Sequence, residues 1–232
     1  MKILAINGSP RKGWNTHTLL ERALEGAQSL GAQTEIVHLY DLNYKGCQSC
    51  FLCKARDSKS YGRCCLVDDA ASVLRSFASI EGFIIGSPIY FGSLTSQTRG
   101  FLERLLFPFM TYTNPVMSLA PIPLRAGLIY TMNCDQQRAA EFGYPQHLLR
   151  IEETMLKVFK SVESAWSYDT LQFSDYSKYV ADRFDPEKKT QRRATEFKLD
   201  CDRAFDLGKW VAGARPPLPR QVARTYPAAG IP

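Results

Sequence analysis

Short apolar, β-rich runs alternate with longer amphipathic ones along most of the chain, and this alternation constrains the fold more than any other feature. Runs at residues 2–6, 34–39, 82–86, 128–132 and 164–168 predict strands, and residues 16–30, 69–79, 94–107, 141–160 and 187–211 predict helices. Strand alternating with helix predicts an α/β protein: a doubly wound, five-stranded parallel sheet with helices on both faces. GFIIG at 82–86 is apolar throughout, as befits a strand buried on both sides. Asp68 and Asp69 read as the N-cap and first-turn acid of the second helix. One domain is expected over residues 1–212. A Pro-rich tail, 213–232, is expected to lie on a surface or on a partner subunit.

In such sheets ligands sit beyond the carboxyl ends of strands, where the strand order reverses. The loop NGSPRKGWNTHT after the first strand has Gly8, four residues, then Gly13, but Trp14 and Asn15 follow where a P-loop needs Lys and Ser/Thr. It does not read G-x-G-x-x-G either. What remains is Ser9, Arg11, Asn15, Thr16 and Thr18 at a helix start whose free N–H groups favour one terminal phosphate. His17 is placed either to donate to that anion or as an exposed first-turn residue. The second loop, GSPIYFGS, brackets Ile89, Tyr90 and Phe91 between Pro88 and Gly92 and offers backbone polar groups beside two aromatic rings. A flat heteroaromatic ring fits there. Paired with a monophosphate loop at the same sheet edge, it points to FMN.

GCQSCFLCK places Cys47, Cys50 and Cys53 at every third position, and Cys64-Cys65 follow within a loop spanning 46–66. Three readings stand side by side. The first is a [4Fe–4S] cluster with one of Cys64 or Cys65 as fourth ligand. The second is a four-cysteine zinc site, although structural zinc usually pairs two separated C-x2-C knuckles. The third is a set of free thiols. Lys54, Arg56, Lys59 and Arg63 are expected to offset thiolate charge. The loop leaves the second strand at the ligand-binding edge, so a cluster is expected a short way from the flavin.

Taken together, GSPRKG-N-T, the C-x2-C-x2-C loop and SP-I-Y-F-G-S resemble the flavodoxin-like NADPH-dependent FMN reductase and iron–sulfur flavoprotein family. The resemblance covers the first half of the chain by motif and the second half by element order. It implies that Ser9, Arg11, Asn15, Thr16, His17 and Thr18 hold the phosphate and ribityl chain. It also implies that Pro88, Ile89, Tyr90, Phe91 and Gly92 face the isoalloxazine, with Thr131, Met132 and Asn133 as a third contact segment. A homodimer or homotetramer is implied, because the family tends to complete its flavin site at a subunit interface. One departure is plain: KARDSKSYGR separates Cys53 from Cys64, where the family usually leaves only a few residues.

The charge excess is modest, Lys+Arg 29 against Asp+Glu 23, and no aromatic residues interleave with it as a nucleic-acid groove requires. The late cluster Lys188, Lys189, Arg192 and Arg193 is expected to be solvated helix surface. His38 and His147 read as structural. Residues 169–186, rich in aromatics and acids, read as an arm against the sheet edge or a neighbouring subunit. No membrane span or signal peptide is visible, so a cytoplasmic protein with reduced thiols is expected. The function expected is electron transfer from NAD(P)H through FMN to an acceptor, the flavin carrying the chemistry and no side chain named as catalytic. The rivals are a non-enzymatic FMN electron carrier and a phosphate-binding module without flavin.

Overall fold

The computed structural model describes residues 1–121 and 124–214; beyond 214 the Pro-rich tail lies outside the described residues. The strands are β1 (Lys2–Asn7), β2 (Gln33–His38), β3 (Gly82–Tyr90), β4 (Ser93–Leu94), β5 (Arg125–Thr131) and β6 (Ser161–Ser167). The helices are α1 (Asn15–Gln28), α2 (Asp69–Ser76), α3 (Ser96–Phe109), α4 (Gln136–Glu141), α5 (Tyr144–Phe159), α6 (Pro186–Ala194) and α7 (Glu196–Val211).

Five strands pair in parallel in the order β2-β1-β3-β5-β6, and the two-residue β4 folds back antiparallel on the end of β3. Winding runs outward from β1 to β2, then crosses back to β3, so the switch point lies between β1 and β3. Alternate residues of the central strands face opposite cores. Ile3, Ala5, Ile84 and Ile129 meet α1 and α7, while Leu4, Ile6, Phe83, Ile85 and Leu128 meet α2, α3 and α5. Phe83, Ile84 and Ile85 are each almost wholly buried. Burying each such side chain stabilises the fold by about 1.5–3 kcal/mol.

On the first face α1 and α7 touch backbone to backbone. A Cβ on Gly26 would lie 1.9 Å from the Phe205 carbonyl oxygen, and one on Gly208 would lie 1.7 Å from that of Ala23. Only glycine permits that approach.

The expected strands and most helices are present, with two differences. The helix expected over 141–160 is present as α5 but starts after Gly143, at φ +69°, which separates it from the unexpected short helix α4. The long helix expected over 187–211 is divided at Thr195, whose φ and ψ of −114° and −81° leave the helical region. Among the described residues no helix is long and apolar enough to cross a membrane.

Candidate functional site

The loop after β1 is built around Asn7, which is fully buried at the switch point. Its Oδ1 accepts from the Ser9 N–H at 2.9 Å, which orients the amide so that Nδ2 donates to His38 Nδ1 at 3.0 Å. Ser9 Oγ in turn accepts from the Arg11 N–H at 3.1 Å. Helix α1 starts with Trp14 in the cap position, without a side-chain cap and without an acid in its first turn. The first N–H groups of a helix have no intrahelical acceptors, so this terminus is left with the donor set and positive dipole end that an anion needs. His17 Nδ1 accepts from the Gly13 N–H, so this ring tightens the loop from within.

Thr16 and Thr131 join the first and third expected contact segments directly, their hydroxyls 2.8 Å apart and both buried. The second and third segments are neighbours in the sheet, with Pro88 in register with Thr131. Ile89, Met132 and Asn133 line one cleft of about 380 Å³ at this edge, together with Asp169 and Lys189. Phe91 and Gly92 turn back into β4 with φ of +51° and +77°, leaving the Phe91 ring fully exposed. They line a separate groove of about 610 Å³ between α3 and α5. Burial raises the Tyr90 hydroxyl above its ordinary pKa, keeping it a neutral donor.

The arm at 169–186 reaches this loop. The Leu171 carbonyl accepts from Trp14 Nε1 at 3.1 Å and Asn15 Nδ2 at 2.8 Å, and the Gln172 carbonyl accepts from Arg11 at 2.7 Å. Arg11 also stacks on Trp14, 4.1 Å from the ring centre. Only part of the late basic cluster is the solvated surface expected from sequence: Lys188 is exposed, whereas Lys189 and Arg192 are buried. Lys189 donates to the Asn133 carbonyl and side chain at 2.8 and 2.7 Å and pairs with Asp169. Arg192 pairs with Asp200 at 2.6 Å, and Arg193 donates to Asn15 Oδ1 at 2.7 Å. Sequence reasoning missed these contacts, although the arm's aromatic and acidic character marked it as a packed segment.

The cysteine loop runs down α3. The Tyr44 hydroxyl donates to the Gln97 carbonyl, and the Cys47 N–H to Glu103 at 3.2 Å. Further down, Lys54 Nζ donates to the carbonyls of Phe107, Pro108 and Met110. Lys54 thus caps the carboxyl end of α3, and its charge also favours the Cys53 thiolate, as expected, against the larger opposing effect of burial. All five cysteines, Cys47, Cys50, Cys53, Cys64 and Cys65, line one small cavity together with Arg104 and Phe107. Cys50 and Cys65 sulfurs lie 3.6 Å apart. The Leu52 N–H lowers the Cys50 thiol pKa, whereas burial pushes Cys53 and Cys65 up.

Arg104, fully buried, donates through Nε to Cys64 Sγ at 3.3 Å, and also to Asp68 at 2.6 Å and the Lys45 and Leu66 carbonyls. Asp68 does occupy the cap position of α2, yet its carboxylate makes no cap bond: Oδ2 pairs with Arg104 and Oδ1 is buried without a hydrogen-bond partner. Arg104 lies eight residues into α3, so at 1.5 Å per residue its backbone is roughly 12 Å along the helix from its start.

A doubly wound parallel sheet with an uncapped anion-ready helix at its switch point defines the flavodoxin-like class. Within that class the chain belongs to the NADPH-dependent FMN reductase family, whose model matches residues 1–133. It is 35% identical over 104 residues to an iron-sulfur flavoprotein of Methanocaldococcus jannaschii, covering 45% of this chain and 51% of that protein. An iron-sulfur flavoprotein of Archaeoglobus fulgidus is 39% identical over 104 residues, covering 45% and 48%. The chain thus spans about half the length of the curated relatives it matches. Among solved structures, an NAD(P)H:quinone oxidoreductase from Methanothermobacter marburgensis superposes with a TM-score of 0.66 at 13% identity, over 90% of this chain and 98% of that one. An FMN-dependent NADH-azoreductase from Bacillus anthracis, in complex with FMN, gives 0.57 at 14% identity, over 89% and 99%. Both likenesses are of fold.

Proposed function

We propose that the chain binds FMN at the β1–β3 switch point and passes electrons from a nicotinamide nucleotide to an acceptor, with a [4Fe–4S] cluster in the cysteine loop. The observation that carries this reading is the α1 terminus: a helix start without cap or acid, joined through Thr16 and Thr131 to the other two contact segments. The donor set fits a phosphate monoester. Ser9, Arg11, Asn15, Thr16, His17, Thr18 and the first-turn N–H groups belong to the phosphate and ribityl side. Residues Pro88, Ile89, Tyr90, Phe91 and Gly92, with Thr131, Met132 and Asn133, flank the ring.

FMN, when bound, supplies hydride acceptance from the nicotinamide and onward electron delivery. The chain's own residues position and shield it. Asn7 and Ser9 fix the loop, Ile89 and Met132 provide an apolar wall, and Lys189 holds Asn133 in place. No side chain is needed as acid or base.

The thiols also fit their group. Five thiols line one cavity, one more than the four ligands a structural zinc takes. Cys47, Cys50, Cys53 and one of Cys64 or Cys65 would hold it, and the Arg104 guanidinium offsets thiolate charge. Such a centre supplies one-electron transfer. The fully exposed Phe91 ring beside the loop that follows β3 supports a homodimer or homotetramer that covers it, and unpaired thiols support a reducing, cytoplasmic setting.

An absorbance spectrum of protein purified without oxygen tests both halves. Flavin bands, a broad visible shoulder and matching iron and sulfide are expected, and steady NAD(P)H oxidation separates an enzyme from a carrier. Protein that neither retains nor rebinds FMN would end the flavin reading. Iron-free protein whose Cys50→Ser variant behaves as wild type would end the cluster reading alone.

A further inference from the structure

Arg193 carries a charge with no acidic partner among the described residues, half-buried against the start of α1. Its Nη1 donates to Asn15 Oδ1 at 2.7 Å, and its guanidinium lies 3.8 Å from the centre of the Phe197 ring. Its neighbour Arg192 shows the contrast, being paired with Asp200 and with Glu196. Burial works against the Arg193 charge and the adjacent Arg192 adds to this, while the nearby Cys201 offsets them only in part. A half-buried cation left in that state is costly unless an anion arrives.

The guanidinium fork has five N–H donors, and one is spent on Asn15. Asn15 is the first residue of α1, so those donors stand one side chain's width from the uncapped N–H groups. Asn15 itself is held between Arg193 and the Leu171 carbonyl, which fixes the approach of α6 to the loop. Arg11, from the opposite side of the same helix start, also lacks an acidic partner among the described residues, its guanidinium resting on Trp14 and the Gln172 carbonyl.

We infer that Arg193 is a second phosphate-recognition residue of the flavin site, acting with Arg11 to make the site selective for a flavin mononucleotide over the phosphate-free flavin. This rests on the FMN reading and gives α6 a phosphate contact, whereas the flavin-contact residues named above all lie within the residues that the family model matches. A dianionic phosphate at α1 then meets the helix dipole and two arginines. Selectivity is set partly by the last quarter of the chain.

The test is titration of FMN and of riboflavin into the full-length apoprotein, followed by flavin fluorescence, for wild type, Arg193→Met and Arg193→Lys. Loss of one charge-assisted contact should raise the FMN dissociation constant about ten- to a hundredfold in Arg193→Met. Riboflavin affinity should stay within about twofold, since it lacks the group that the charge recognises. Arg193→Lys should recover much of the FMN affinity, and the salt dependence of FMN binding should fall only in the Met variant. Equal loss for both flavins would make Arg193 a structural support and overturn the inference, as would no loss at all. Wild type binding riboflavin as tightly as FMN would overturn the phosphate reading itself, a different result. The Lys variant guards against misfolding, because a folded Lys variant with wild-type riboflavin binding and undiminished FMN selectivity is the expected reference for charge.

Discussion

Arg104 and Asp68 form a 2.6 Å ion pair in which the arginine has no solvent exposure and the aspartate about a fifth of its own. The same guanidinium holds Cys64 and two loop carbonyls, so one side chain on α3 ties down the whole return of the cysteine loop. Arg104→Met should therefore strip a buried carboxylate of its partner and cost about 3 kcal/mol. A thermal melt checks the loss of stability. Iron content measured after anaerobic reconstitution should fall with it, because Cys64 loses its anchor. Asp68→Asn retains a hydrogen-bond acceptor and should be milder on both measures.

Lys54 binds three carbonyls at the end of α3, where Pro108 already interrupts the helix. Lys54→Met keeps the aliphatic stem and removes the cap, at a cost of about 1–2 kcal/mol. Limited trypsin digestion should then cut more readily at Arg56, Lys59 and Arg63, on the loop that Lys54 pins. Unchanged cleavage would show that the loop is held by its thiol centre alone.

His38 accepts from Asn7 only while its Nδ1 is unprotonated. Burial, then the nearby His17 and Lys12, lower its pKa below the ordinary 6.5, and Asp41 and Glu21 offset this only in part. The unfolded chain therefore takes up a proton before the folded one does. Stability from this group is fully present above pH 6.5 and is lost as the pH falls through that value towards the lower folded pKa. Melting temperature measured between about pH 7.5 and pH 5 should decline for wild type and decline less for His38→Gln. A parallel decline in both proteins would assign the acid sensitivity to other groups.

Phe91 sits in the left-handed region at φ +51°, next to Gly92 at φ +77°, with its ring in solvent. Holding a bulky side chain there costs about 1 kcal/mol, and nothing in the monomer is gained from the exposed ring. Phe91→Gly should raise stability by that amount while weakening NAD(P)H turnover or subunit association. Stability without functional loss would remove Phe91 from the site.

The sheet was legible because its strands are short apolar runs whose burial is written in their composition, and GFIIG within β3 is the plainest case. The phosphate loop and the cysteine spacing were legible because each is local. What the sequence hid was long-range. Arg104 looks like an ordinary helix charge until the loop at 45–68 folds over it, and Arg193 looks solvated until α6 reaches Asn15, 178 residues away. The break at Thr195 was hidden because no Gly or Pro marks it, whereas Gly143 and Pro145 mark the start of α5 locally. Asp68 satisfied a local rule for capping, but its Oδ2 pairs with a distant partner.

The glycine contact between α1 and α7 has a consequence for synthesis. Helix α1 is made well before α7, which packs with Leu19, Leu20 and Ala23. Until Gly208 has docked on Ala23, the side of α1 that meets α7 stays uncovered on the nascent chain. Arg193 and Leu171 arrive equally late, so the loop at residues 7–18 waits unbraced through the same interval. A truncation that stops short of α7 would leave an exposed hydrophobic stripe, a substrate for chaperones rather than a smaller flavoprotein.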